Sequence, residues 1–386
     1  MGSIAIKNIG VIFTGDIENP VLNKKIIIIE NGIISKITDN ENDIPDGLQI
    51  IDANGMTVTP GLIDSHAHPV FGDFTPRQKM LNFIDSSMHG GVTTMISAGE
   101  VHLAGRPKDR EGAKALAILA YKSFKNARPS GVKVEGGALI LEKGLTEDDF
   151  KELAEVGINH VGEIGLGTVK KGEEAAKMVE WAKKYGMTVM MHVGGTSIPG
   201  SSTITYEDVV TIKPDVMCHL NGGPTAISFD NVKRLIEETD FTIELVHCGN
   251  MKMAEKILEI AKANNCLHRV ILGNDAPSGT GVIPLGILRM ISFVSPFGEI
   301  PAEIAICMAT GNTARVYKLN RGMIKEGYEG DIAIIDAPMG CAGKNAKEAI
   351  ELGDIPAVAG VIIDGELKFS KSRNTPPSVR KLQWLK

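Results

Sequence analysis

Two histidines one residue apart, His66 and His68 in Leu62-Ile63-Asp64-Ser65-His66-Ala67-His68-Pro69, are the first residues whose spacing suggests chemistry. Side chains two apart on a strand project to one face, so the pair can offer two imidazole nitrogens to one metal ion without any bend in the backbone. Histidine also serves as a core or surface residue, and an isolated His-x-His carries little weight. Context supplies the rest. The preceding Thr57-Val58-Thr59-Pro60-Gly61 reads as a turn that launches an apolar strand. It sets both histidines at the strand's C-terminal end, where parallel barrels build their active sites.

Further ligand-type residues fall at the ends of later strand-like segments: Glu163, His192, His219 and Asp275. If those strands close into a parallel barrel, six residues spread over more than two hundred positions converge on one mouth. Buried carboxylates and imidazoles need partners, and a pair of divalent cations satisfies them all. On this reading His66, His68 and Asp275 hold one ion, His192 and His219 hold the second, and the two oxygens of Glu163 bridge them. Such a pair lowers the pKa of a shared water towards neutrality, with Asp275 placed to shuttle the proton from water to a departing nitrogen. Arg106, in the loop Glu100–Lys108, is the first candidate partner for a substrate carboxylate, with Arg77 and Lys108 as alternatives and a solvated surface arginine as the plain reading. Thr196, Ser197 and Ser278 can offer hydroxyls. His247, at the end of the seventh strand, is assigned to substrate contact or support of a ligand, against an equal claim for a purely structural histidine.

The elements needed to position these groups can be read from periodicity. Eight short apolar strands, 62–68, 93–98, 132–140, 160–166, 188–193, 216–220, 242–248 and 270–275, alternate with amphipathic helical stretches such as 77–89, 108–127, 173–185, 230–239 and 253–264. That alternation predicts a parallel α/β fold, and eight units predict a TIM-type barrel. Both chain ends read differently. Residues 4–15, 25–38 and 49–57 read as β-structure with no helix-length pattern, and 330–336 and 358–369 answer it around an Asp364-Gly365 hairpin signal. One small β-domain assembled from both termini follows, giving boundaries of 1–57, 58–320 and 321–386. The tail from Ser370 reads as an arm that docks on a neighbouring surface or hangs free.

Composition restricts the function classes. A formal net charge of −6, 5% aromatic residues and no long basic run exclude a nucleic-acid groove or a membrane-surface patch, leaving small molecules as substrates. No stretch approaches the roughly 18 apolar residues of a membrane span, and the N-terminus carries no leader pattern. Five cysteines without a C-x-x-C pair fit free thiols in a reducing cytoplasm. Cys218 and Cys248 each neighbour a histidine, and small apolar packing residues describe them better than soft metal ligands.

Val58-Thr59-Pro60-Gly61-Leu62-Ile63-Asp64-Ser65-His66-Ala67-His68, the Gly90-Gly91-Val92-Thr93-Thr94 helix-to-strand turn and Asn274-Asp275-Ala276, taken together, resemble the amidohydrolase superfamily over essentially the whole chain. The resemblance implies a distorted metal-dependent (β/α)8 barrel with a small β-sandwich built from both termini. Many members bridge their metals with a carboxylated lysine on the fourth strand; Glu163 stands there in this chain, which places it with the glutamate-bridged minority. Within that minority the stretches 91–99, 127–150, 192–202, 221–228 and 273–289 resemble members that open the lactam ring of 6-oxo-1,4,5,6-tetrahydronicotinate to give 2-formylglutarate and ammonium. The resemblance implies a zinc and iron pair on His66, His68, Glu163, His192, His219 and Asp275, and a homo-oligomer, by analogy a tetramer. A different ring keeps the same machinery: dihydroorotate, a hydantoin, an imidazolone or an isoaspartyl dipeptide. A non-catalytic scaffold protein is the reading from another class, and six intact ligand positions argue against it.

Overall fold

The computed structural model of the protein describes residues 1–71, 80–196, 201–222, 227–277 and 281–385. All eight predicted barrel strands are present, and each pairs in parallel with its neighbours. Lys133–Glu135, Val92–Ser97 and Leu62–Ala67 form one sheet in that order, and His160–Ile164, Thr188–His192, Val216–Cys218, Thr242–Val246 and Val270–Gly273 form another. Single bridges close the circle on both sides, Leu139 to Val161 and Ala67 to Ala276. The barrel is therefore distorted. Its third strand is shorter than the predicted 132–140 for a local reason: Gly137 takes φ +83 and turns the chain out of extended geometry before Leu139 rejoins the sheet.

Helices pack outside the strands with the spacing expected of half-buried surfaces. In Phe229–Glu238, capped by Ser228, the buried residues are Val232, Leu235 and Ile236, one stripe at intervals of three and four. Arg110–Asn126 buries Ala113, Ala117, Ala120 and Phe124 in the same way. Inside the barrel, Ile63, Ile96, Ala98, Met190, Val216, Cys218, Ile271, Ala314 and Tyr317 fill the volume beneath the site, so the barrel is a packed core with chemistry at one end.

Both termini build the sandwich. One sheet runs Gln383–Trp384, Gln49–Asp52, Ile4–Lys7, Ile26–Glu30, Ile33–Thr38; the other runs Glu366–Phe369, Ala357–Ile363, Ile332–Asp336, Thr57–Pro60, Val11–Phe13, Val21–Leu22. Isoleucines at alternate positions, Ile4 and Ile6, Ile27 and Ile29, Ile332 and Ile334, meet between the sheets in a separate core. The C-terminal arm is docked rather than free. Trp384 pairs with Ile51, and Arg380 bonds the Asp336 carboxylate and the Gly55 carbonyl. Thr57–Pro60 lies in the sandwich and Gly61 passes directly into the first barrel strand; a Cβ at Gly61 would stand 2.1 Å from the Thr93 hydroxyl, so only glycine fits this junction. The strand bearing His66 and His68 is thus anchored at its start by the sandwich.

Candidate metal centre

The predicted ligand residues converge. His66 Nε2 lies 3.2 Å from His68 Nε2, and His68 Nε2 lies 3.0 Å from Asp275 Oδ1. On the other side Glu163 Oε1 lies 2.7 Å from His219 Nε2 and 3.1 Å from His192 Nδ1. Glu163 Oε2 faces His66 Nε2 at 3.6 Å, so the two oxygens of one carboxylate point to the two halves of the cluster. Strand ends explain the arrangement. His66, Glu163 and His192 sit on the first, fourth and fifth barrel strands, His219 follows directly after the sixth, and Asp275 stands two residues beyond the eighth.

Backbone geometry at two of these positions is unusual. His219 has φ +36 and Asp275 φ +56, in the region that favours glycine. Each is fixed by its neighbours: the N–H of Asp275 donates to the His66 carbonyl at 2.8 Å, and the N–H of Gly222 donates to the His219 carbonyl at 2.6 Å.

The hydrogen bonds decide which ring nitrogens face inward. His192 donates Nε2–H to the Gly195 carbonyl at 2.8 Å, which reserves Nδ1, facing Glu163 and His219, for a cation. His66 donates Nδ1–H to Glu244 at 2.7 Å, which leaves Nε2 facing the cluster. Four histidine nitrogens and the oxygens of two carboxylates then point at one another. Among the described residues three groups have ligand atoms within 4.8 Å of one another: two, His66 with His68 and Asp275, and Glu163 with His192 and His219, make up the facing cluster and could each hold an ion, and the third joins His66 to Cys218 and Glu244. Nitrogen and oxygen donors of this kind suit a divalent first-row cation. The buried Nδ1 atoms of His68 and His219 also lack partners among the described residues, leaving both tautomers open at those rings. The donor set therefore fits a pair of such ions.

Electrostatics follow from the crowding. Burial raises the Glu163 carboxyl, but with protons on the facing nitrogens of His192, His219 and His66 in place of a cation, the hydrogen bonds it accepts outweigh burial and hold the group well below its usual range. Burial likewise opposes ionisation of Asp275, whose hydrogen bond with His68 and the nearby His66 and His219 charges bring its pKa down. Burial lowers His66, yet the Glu244 charge leads the effects that lift it well above the ordinary imidazole value. Asp64 is pushed up to about 7 by burial.

The substrate-contact candidates fare differently. Arg106 does not offer a free guanidinium: its side chain is 8% exposed, its Nη1 pairs with the fully buried Glu142 at 2.5 Å and its Nη2 donates to the Leu166 carbonyl. Its charge is already matched inside the protein, which counts against the expectation that it receives a substrate carboxylate. Thr196 is exposed, and its hydroxyl faces that of Thr203 at 3.4 Å. Ser197 and Ser278 lie outside the described residues, as does Arg77. His247 follows its strand and is half-buried; burial and the Arg289 charge lower its pKa, and it joins neither group of ligand atoms.

Three further residues contribute, of which the sequence singled out Cys218 alone, as a packing residue rather than a ligand. Glu244, buried on the seventh strand, contacts Ser65 and His66 as well as the His219 backbone. A lone acid at the middle of Thr242-Ile243-Glu244-Leu245-Val246 was its available signal. Cys218 is buried, with Sγ close to His66 and Glu244; burial raises its pKa, which keeps it a thiol. His102 sets its ring edge against His68 at 4.9 Å between centroids, and its loop position gave no hint of this.

Comparison with known proteins agrees with this geometry. Residues 57–368 match the model of the amidohydrolase family. The chain is 56% identical over 382 residues to enamidase from Eubacterium barkeri, covering 98% of this chain and 99% of that protein. A crystal structure of enamidase superposes with a TM-score of 0.95 at 56% identity, covering all of both chains. A β-aspartyl dipeptidase from Fervidobacterium islandicum shares the fold with a TM-score of 0.67 at 20% identity, covering 98% of this chain and 99% of that one. A distorted barrel with a two-ended sandwich, histidines and carboxylates gathered at the strand ends, and a family match across most of the sequence agree on one assignment: the chain belongs to the amidohydrolase family.

Proposed function

We propose that the protein is an enamidase, a hydrolase that opens the lactam ring of 6-oxo-1,4,5,6-tetrahydronicotinate and yields 2-formylglutarate and ammonium. The observation that carries this reading is the 56% identity to enamidase over nearly the whole length of both chains. Specificity lives in loops, and likeness confined to the barrel would support the chemistry without the substrate.

The centre would take two divalent ions, zinc and iron by analogy, one on His66, His68 and Asp275 and the other on His192 and His219, with Glu163 between them. Ions so placed supply a water ionised near neutral pH and polarise an amide carbonyl. The rest belongs to the chain. Asp275, with its side chain 24% exposed at the edge of the cluster, is the carboxylate that can meet substrate. It accepts the proton as water adds to the ring carbonyl carbon and returns it to the ring nitrogen as the C–N bond breaks. The products of that step are a carboxylate and an enamine. Tautomerisation to the imine and addition of a second water release ammonia and leave the aldehyde. The Gly195 carbonyl holds the His192 ring in the tautomer this arrangement requires.

The test is direct. Protein supplied with zinc and ferrous iron is mixed with 6-oxo-1,4,5,6-tetrahydronicotinate, and loss of the enamide chromophore is followed together with ammonium release. Rapid loss of both is expected, with turnover reduced at least ~100-fold in Asp275→Asn. A fully metallated enzyme that leaves the compound intact but opens another cyclic amide would replace this substrate with that one.

A further inference from the structure

We infer that Glu244 is a positioning residue that aims one histidine from each half of the cluster at its ion. The inference rests on the metal-pair reading above. Glu244 is fully buried in the seventh barrel strand, between Ile243, Leu245 and Val246, where an uncompensated charge is strongly disfavoured. Its bonds show what compensates it. Oε1 accepts the Ser65 hydroxyl at 2.6 Å, and Oε2 accepts His66 Nδ1–H at 2.7 Å and the backbone N–H of His219 at 3.2 Å.

These contacts have two consequences. Holding the proton on Nδ1 of His66 reserves Nε2, which faces His68, Glu163 and Asp275, for the ion. Gripping the His219 backbone helps to hold that residue at φ +36, and this conformation carries its ring Nε2 to Glu163. One carboxylate on the seventh strand therefore ties the first strand to the end of the sixth. Ser65 and His66 are adjacent in sequence, yet both reach Glu244; the first strand shifts register against its neighbour between Asp64 and Ala67, at these residues. Carboxylate support of a metal-bound histidine typically contributes 10–100-fold in affinity. Here the support reaches both halves, so its loss should weaken both binding steps.

Zinc binding to the metal-free full-length protein, measured by competition with a chromophoric chelator, tests this in wild type, Glu244→Leu and Glu244→Gln. Leucine removes every acceptor, and both zinc equivalents are expected to bind at least ~10-fold more weakly. Glutamine should recover part of the loss, because its carbonyl can still accept from His66 and His219 while its amide faces Ser65. The visible spectrum of the cobalt(II)-substituted protein should shift in both variants, a change that a purely structural role would not produce in folded protein. Wild-type affinity for both equivalents in folded Glu244→Leu would overturn the inference and leave the metal pair standing. Weakening of only one equivalent would overturn the claim that Glu244 serves both halves. If Glu244→Leu does not fold, wild-type affinities and spectrum in Glu244→Gln would overturn it equally. Wild-type protein that binds no zinc would remove the metal-pair reading along with it.

Discussion

At the scale of single residues, Arg106 separates what a side chain is from what it is free to do. Its position in a loop after the second barrel strand suggests an anion-binding cation, but the structure commits it to Glu142, whose other oxygen accepts the backbone N–H of Thr168 at 2.9 Å. Removing one member of a buried pair leaves the other charged and unmatched, which costs about 3–5 kcal/mol. Arg106→Ala should therefore lower unfolding free energy by that order while leaving the KM of folded enzyme near wild type. Arg106→Leu combined with Glu142→Leu should recover much of the loss. Denaturant titrations and steady-state kinetics on the same preparations check both statements. A large rise in KM with unchanged stability would return Arg106 to the substrate.

At the scale of elements, the strand ends were legible because period-two and helical patterns alternate eight times, and ligand-type residues fall where strands stop. Thus the convergence of His66, His68, Glu163, His192, His219 and Asp275 could be anticipated. Glu244 could not, because an acid inside an apolar strand reads equally as an outward-facing residue until register is known. The pairing of Arg106 was hidden for the complementary reason: Glu142, its partner, is 36 residues away in another loop, and pairing across loops has no sequence period. The same limit hides a device in the helix Glu147–Val156. Thr146 and Asp149 form a capping box, and Asp149 also pairs with Arg110 and Lys114 from the preceding helix. Burial would raise the Asp149 carboxyl, but Arg110, Lys114 and Thr146 together hold it well below its usual range. A carboxyl depressed in the folded state stabilises above its unfolded value of about 3.9 and loses that contribution as pH falls towards the folded value. Asp149→Asn should accordingly be less stable than wild type at pH 7, with the gap narrowing as pH falls below about 4. Urea unfolding of the pair at neutral and acidic pH tests the sign; a gap that widens on acidification would rule out this origin.

At the scale of the molecule, the sandwich and the barrel are joined by a half-buried ionic knot, with Asp331 buried within it, rather than by apolar packing alone. Lys133 on the third barrel strand reaches Glu329 and Asp331 at 2.6 Å and Asp364 at 3.1 Å. Arg321 links Glu329 to Glu135 on the same barrel strand. Asp331 opens the sandwich strand that pairs with Thr57–Pro60, and Thr57–Pro60 runs through Gly61 into the strand of His66 and His68. Lys133 thus braces the strand that launches the centre, although it stands on the sandwich side of the barrel. Its loss would leave Asp331, 2% exposed at its side chain, without its cation. Lys133→Met should destabilise the protein by about 3–5 kcal/mol at neutral pH. Burial already raises the Asp331 carboxyl in the presence of Lys133, so without the lysine it should take up a proton more readily. A carboxyl raised in the folded state is least unfavourable at low pH, so the deficit of Lys133→Met should shrink as pH falls from 7 to 5 and grow as it rises. Adding Asp331→Asn to Lys133→Met should recover part of the neutral-pH loss and flatten the pH dependence. Denaturant unfolding of the three proteins between pH 5 and 8 reads all of this. A deficit independent of pH and of Asp331→Asn would assign the role of Lys133 to the packing of its aliphatic stem.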